Sequence, residues 1–160
     1  MDNNELMISI YQNTSTAMQS INDLIKKTED KKFIDLLNAQ YKRYDKLQAK
    51  AEALANTMQI ELKDNNWFEK AKLWSSVQMS TLSDNSTRHL AELMLIGTVM
   101  GTLTCYKNKD DYKTADEKAL SLLEELETME EDNFNELKKY LKGQTLLKLA
   151  ETKKNLTIWS

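Results

Sequence analysis

Apolar residues return every three or four positions along most of this chain. Met7, Ile10, Tyr11, Ala17, Met18, Ile21, Leu24 and Ile25 fall on one side of a helix, so the spacing predicts a first helix over about 4–28. Thr14 interrupts that stripe. After a short turn at Glu29-Asp30, with Asp30 as the N-cap, a second stripe begins. Phe33, Ile34, Leu37, Tyr41, Tyr44, Leu47, Ala51, Leu54, Ala55 and Met58 predict a helix over about 31–62, with Gln40 as the polar residue inside the stripe. Two long helices on so short a link are antiparallel neighbours.

The pattern restarts after Lys63-Asp64-Asn65-Asn66. Trp67, Phe68, Ala71, Trp74 and Val77 predict a shorter amphipathic helix over about 67–82. Ser83-Asp84-Asn85-Ser86 reads as a break with a fresh N-cap, followed by a third long helix over about 86–107. A polar turn at Asn108–Asp111 precedes a fourth helix over about 112–142, with Ala115, Ala119, Leu122, Leu123, Leu126, Met129, Leu137, Tyr140 and Leu141 inward. Gly143 suits a C-cap, and residues 143–160 form an amphipathic tail with Leu146, Leu147, Leu149, Ala150, Ile158 and Trp159 set against Lys148, Lys153 and Lys154. The expected organisation is a bundle over 1–142 and a tail over 143–160 that folds as a short C-terminal helix on the bundle surface or on a partner.

The link between the second and third long helices is about 23 residues, against roughly two to eight for an ordinary bundle turn. A helix of 16 residues spans about 24 Å. The third helix is therefore expected to start near the end where the second one started, as in bundles with one long crossover.

Composition sharpens this to an all-α fold. The chain has 160 residues, no proline and three glycines, where average usage gives roughly eight and eleven. So few turn residues disfavour a β-sandwich or an open α/β sheet. A hydrophobic fraction of 41% allows a real core, and the net charge of -3 gives no general attraction to nucleic acid. One cysteine rules out an intramolecular disulfide and a cysteine-based zinc site. The N-terminus does not read as a secretion signal, so a cytoplasmic location is expected.

The order of elements resembles a small bacterial ferritin-like domain of the kind assigned to families of unknown function. The resemblance covers about 6–142. It rests on the two long N-terminal helices, the crossover WFEKAKLWSSVQMSTL, the restart SDNSTRHLAEL and the closing acidic helix. It implies a ferritin-like four-helix bundle. Relatives of that fold include spore-coat proteins, stress proteins and di-iron oxidases.

A di-iron centre in such a bundle needs a Glu from each of two helices and a Glu-x-x-His from each of the other two. Here the one histidine is His89, and Ser86 stands three residues before it. Thr14, Gln40 and the run Leu93, Met94, Gly97, Met100, Gly101 occupy core stripes where carboxylates would be wanted. No cofactor is expected. His89 and Glu92 share a helical face and are the weak candidates for a divalent ion, but an exposed pair in a first helical turn is the plainer reading. Helix four is rich in Glu, with Glu127 and Glu130 conceivable as a weak calcium or magnesium pair and a solvated outer face as the preferred reading. The basic residues Lys42, Arg43, Lys46 and Lys50 on helix two offer it charge partners. They could also track nucleic acid, with Tyr41 and Tyr44 stacking, but the tyrosines fit the core stripe and the chain is acidic. Cys105 is 16 residues from His89, about 24 Å along one helix, and no phosphate loop or nucleophile motif is present. These features argue against an enzyme.

Leu93–Tyr106 carries no charge in 14 residues. That is short of the roughly 20 apolar residues of a membrane span. A bundle helix without a polar face wants a partner on its outside. Gly97 and Gly101, four apart, would let another helix approach closely. The expectation is a homodimer through helix three, with Leu93, Gly97, Met100, Gly101 and Leu103 at the interface and no nucleic acid as partner. Three functions are carried forward: a non-catalytic structural or protein-interaction module, a divergent metal-binding protein or oxidoreductase with a non-standard carboxylate site, and a carrier of apolar ligands using eight methionines and three tryptophans.

Overall fold

The computed structural model describes residues 2–62, 86–141 and 151–156. Four long helices build it: α1 (Asp2–Ile25), α2 (Lys31–Thr57), α3 (Thr87–Asp111) and α4 (Glu117–Leu137), the last followed by a 3-10 turn over Lys138–Tyr140. Residues 151–156 are also helical. No strand occurs among the described residues, so the all-α expectation holds. The expected helix over 67–82, the Gly143 cap and the apolar residues of the tail up to 150 and from 157 lie outside the described residues.

The starts follow the caps read from the sequence. Asp30 Oδ1 accepts the backbone N–H of Phe33 at 3.1 Å, and Ser86 Oγ accepts that of His89 at 3.3 Å. The ends and the last start differ. Helix α2 stops at Thr57, five residues before the predicted Leu62. Gln59 takes a left-handed φ of 58°, and its neighbours close a double-bonded cap, with the N–H of Ile60 on the carbonyl of Ala55 and that of Gln59 on Asn56. No glycine announces this stop. Helix α3 runs on to Asp111 through the expected polar turn, because Asn108 is buried and its Nδ2 donates to Ser9 Oγ at 2.6 Å. Helix α4 begins at Glu117 rather than Tyr112: Ala115 N–H turns back onto Tyr112 O, and Asp116 caps the new start.

Contacts between side chains give the topology. Gln48 of α2 reaches Thr14 of α1. Asn13 and Ser9 of α1 meet Gly101 and Asn108 of α3, so these helices are antiparallel. Gln40, Tyr44 and Lys50 of α2 meet Glu136, Glu130 and Glu125 of α4 in descending order, so that pair is antiparallel too. Thr87, at the start of α3, donates to Asp30, at the start of α2, at 3.0 Å. Helices α2 and α3 thus run in the same direction. With α2 about 40 Å long, the ends joined by the long connection lie at opposite ends of the bundle, as its length predicts. Neighbours round the bundle are all antiparallel, in the order α1, α2, α4, α3.

The core runs the length of the bundle, from Leu6 and Leu123 to Phe33, Leu37 and Leu137. Each such side chain, once buried, contributes about 1.5–3 kcal/mol from lost water contact. Tyr140 closes one end, its ring edge-on to Phe33 at 5.2 Å. Part of the acidic surface of α4 is paired, two of its acids by Arg43 and Lys50 of the basic stripe on α2. Arg43 holds Glu136 at 2.6 Å and Lys50 holds Glu125 at 2.7 Å. Lys109 of α3 pairs with Glu127, and Lys153 of the helical 151–156 pairs with Glu131 at 2.5 Å while lying over the Phe134 ring.

Candidate functional site

The middle of the bundle is polar. Each helix contributes to it: Asn13 and Thr14 from α1, Gln40 and Tyr44 from α2, Thr98, Gly101 and Cys105 from α3, Glu130 and Asn133 from α4. All but Asn13 are buried.

Glu130 is the centre. It was expected on a solvated face among the other acids of α4, and the structure corrects this: it is 1% exposed. It follows Leu123 and Leu126 by seven and four residues and so continues the inward stripe. Tyr44 donates its phenol to Glu130 Oε2 at 2.8 Å. Burial pushes the Glu130 carboxyl up to about 8, against a smaller opposing pull from the Tyr44 hydrogen bond. At neutral pH the neutral acid predominates. Burial, with the Glu130 charge beside it, likewise raises the Tyr44 phenol, and burial followed by Glu130 and Glu127 raises the Cys105 thiol. A thiol so placed is held protonated and is a poor nucleophile.

Gly101 makes room for this acid. A Cβ there would stand 2.8 Å from Glu130 Oε1 and 3.1 Å from Asn13 Oδ1. Asn13 also donates Nδ2 to the Gly101 carbonyl at 3.2 Å. The expectation that Gly97 and Gly101 line one outward groove is therefore corrected. Gly101 faces the interior, and its smallness serves a close approach within the chain. Gly97 alone faces open space, with nothing within 4 Å of an added Cβ.

The other polar groups are largely satisfied locally. Thr14 donates to the carbonyls of Ile10 and Tyr11 and accepts from Gln48. Thr98 and Thr102 donate to carbonyls four residues back, at 2.8 and 2.9 Å. One turn from Glu130, Arg43 donates to Asn133 Oδ1 at 2.8 Å and to both oxygens of Glu136. Gln40 Nε2 lies 3.4 Å from the Asn133 carbonyl, while Gln40 Oε1 and Asn133 Nδ2 find no partner among the described residues.

His89 and Glu92 do share a face, with Nδ1 3.6 Å from Oε2, and Arg88 leans on the same Glu92 at 3.3 Å. Among the described residues no group of three or more His, Cys, Asp or Glu side chains converges on a point where an ion could sit. Tyr44 is buried and offers no stacking surface for a base. On the outside of α3, Ile96 and Met100 are 49% and 51% exposed and Leu103 is half-buried, while Leu93, expected on that face, packs partly against the core. The apolar strip is thus narrower than an all-round apolar helix would show. No described helix is long and apolar enough to cross a membrane.

Sequence reasoning singled out Thr14 and Gln40 as polar breaks in core stripes, and both are at the site. It named Glu130 only beside Glu127 on a solvated face, and it missed Asn133 and Asn13. For Glu130 the signal was its register with Leu123, Leu126 and Leu137. Comparison with protein-family models, curated proteins and solved structures finds no match.

Proposed function

We propose that this chain is a ferritin-like bundle acting as a non-catalytic interaction module, and that it works as a homodimer through α3. The reading rests on one observation: where four helices would offer ligands to a pair of metal ions, the bundle centre holds, among the described residues, a single carboxyl, buried and hydrogen-bonded to Tyr44. A pair of ions would need carboxylates or imidazoles from each of the four helices, and Glu130 is one carboxyl from one helix. His89 lies 12 residues before Gly101, about 18 Å along α3. The described residues do not fit a di-iron centre. A buried acid locked to Tyr44 instead specifies how the four helices pack, a role documented for some buried polar groups. The outer face of α3, with Ile96 and Met100 half-exposed, supplies the surface for association.

Two measurements test this. Elemental analysis of protein purified without chelator is expected to find iron and manganese far below one per chain. A stoichiometric metal that is lost in Glu130→Gln overturns the non-catalytic reading. Light scattering at tens of micromolar is expected to give twice the chain mass, and a monomer there removes the dimer.

A further inference from the structure

Helix α3 carries two seams. The inner one is Ala91, Met94, Thr98, Gly101, Cys105 and Asn108, spaced alternately three and four, and every member is buried. The outer one is Ile96, Met100 and Leu103, spaced four and three on the opposite side, while Leu93 packs partly against the core. The inner seam is the more polar of the two. A three-four repeat of large apolar residues is what helix-on-helix packing uses, and here it faces outward with two side chains about half exposed.

Charges at the ends of this seam identify the occupant. At the N-terminal end stands Glu92, its side chain 23% exposed and held within the chain by Arg88 at 3.3 Å and His89 at 3.6 Å. At the C-terminal end stands Lys107, exposed. Glu92 and Lys107 lie equally far from the midpoint between Val99 and Met100. A parallel pair of copies would set each of these charges against itself. An antiparallel pair sets each against its opposite.

We propose that two copies of this chain pack α3 against α3 in antiparallel register, on a two-fold axis beside Met100, so that Glu92 meets the partner's Lys107. The proposal rests on the dimer reading above and adds its orientation and register. A two-fold contact uses the same patch on both copies, so one self-complementary helix suffices. One helix per copy, about 37 Å long, gives less than the standard interface of roughly 1,600 Å². The dimer is accordingly a weak one, sensitive to its charged ends.

The register is tested by charge reversal and by cross-linking, on the full chain. Glu92→Lys and Lys107→Glu are each expected to weaken the dimer about tenfold or more, since each substitution turns two symmetric attractions into repulsions. The double variant is expected to return to within about threefold of the wild type, because the pair is restored with its signs exchanged. Met100→Cys is expected to form a disulfide-linked dimer under mild oxidation. Ile96→Cys is not, since the two copies of residue 96 would lie about 10 Å apart along the axis. Wild-type protein, whose one cysteine is buried, is the control, and circular dichroism checks that each variant stays helical. A dimer indifferent to both reversals, or one that cross-links through Ile96→Cys as readily as through Met100→Cys, overturns the register and leaves the dimer standing. A wild-type monomer at tens of micromolar overturns both.

Discussion

The carboxyl of Glu130 and the missing side chain of Gly101 occupy one space: a methyl group on Gly101 would stand 2.8 Å from Glu130 Oε1. The carboxyl cannot simply swing away. It is buried, and Tyr44 holds its other oxygen at 2.8 Å. Helix α3 therefore carries a helix-weakening residue where α4 sends in an acid.

The two glycines of α3 are expected to respond to alanine in opposite directions. Gly97→Ala meets nothing within 4 Å, so the gain in helix propensity should appear as about 0.5–1 kcal/mol of added stability. Gly101→Ala gains the same propensity but forces the Glu130 carboxyl or α3 to move, and overpacking of this kind costs about 1–3 kcal/mol. Urea denaturation decides it. Equal stabilisation by both substitutions would mean that Glu130 does not pack against Gly101.

Stability should fall as pH rises from about 4.5 to about 8. The Glu130 carboxyl is raised to about 8 in the folded state from an ordinary 4.5, so over that window the folded chain binds more protons than the unfolded one. Its favourable contribution is complete below the unfolded value and is lost as pH passes through the folded value. The loss is on the order of a few kcal/mol. Glu130→Gln keeps the shape and an acceptor for Tyr44 but cannot ionise. Its stability should be nearly flat over the same range and exceed the wild type at pH 8. Denaturant melts at pH 5, 6.5 and 8 test this, and parallel profiles for the two proteins would contradict it.

The helix order was legible because caps and stripes are local signals. Asp30 and Ser86 cap where their side chains predict, and the long connection before α3 implies the shared starting end that the Thr87–Asp30 bond realises. Features that depend on tertiary context were not legible. Helix α2 stops on a left-handed Gln59, a residue that gives no warning of a turn. Asn108 reads as part of a turn until Ser9 takes it inward. Glu130 hides among Glu124, Glu125, Glu127 and Glu131, and only its register with Leu126 and Leu137 sets it apart. Gly101 reads as part of an outward Gly-x-x-x-Gly pair until the Glu130 carboxyl is placed beside it.

Tyr44→Phe should destabilise the wild type by about 1–3 kcal/mol, the cost of a buried polar group left without its partner. It should also raise the Glu130 carboxyl further, because the Tyr44 hydrogen bond is what pulls it down. The pH profile would then shift to higher pH. A double-mutant cycle with Glu130→Leu isolates the pair: the cost of Tyr44→Phe should shrink once the carboxyl is gone. Additive costs would show that the two side chains do not act together.

Arg43 joins the buried cluster to the surface, and its loss should tell a hydrogen bond from an ion pair. Its guanidinium donates to Asn133 Oδ1 at 2.8 Å and grips Glu136 at 2.6 Å, with side-chain exposures of 35% for Arg43 and 28% for Glu136. At that exposure the ion pair is screened and contributes at most about 1 kcal/mol. The Asn133 amide is fully buried, and losing its donor costs about 1–3 kcal/mol. Arg43→Met retains most of the stem and removes both contacts, so about 2 kcal/mol should be lost. Glu136→Gln removes only the charge and should cost less than half as much. Salt separates them further. In 0.5 M sodium chloride the small cost of Glu136→Gln should largely vanish, because screening has already weakened the pair, while most of the Arg43→Met cost should remain. If salt erases both costs alike, Arg43 acts on this fold as a surface charge and Asn133 does not need it.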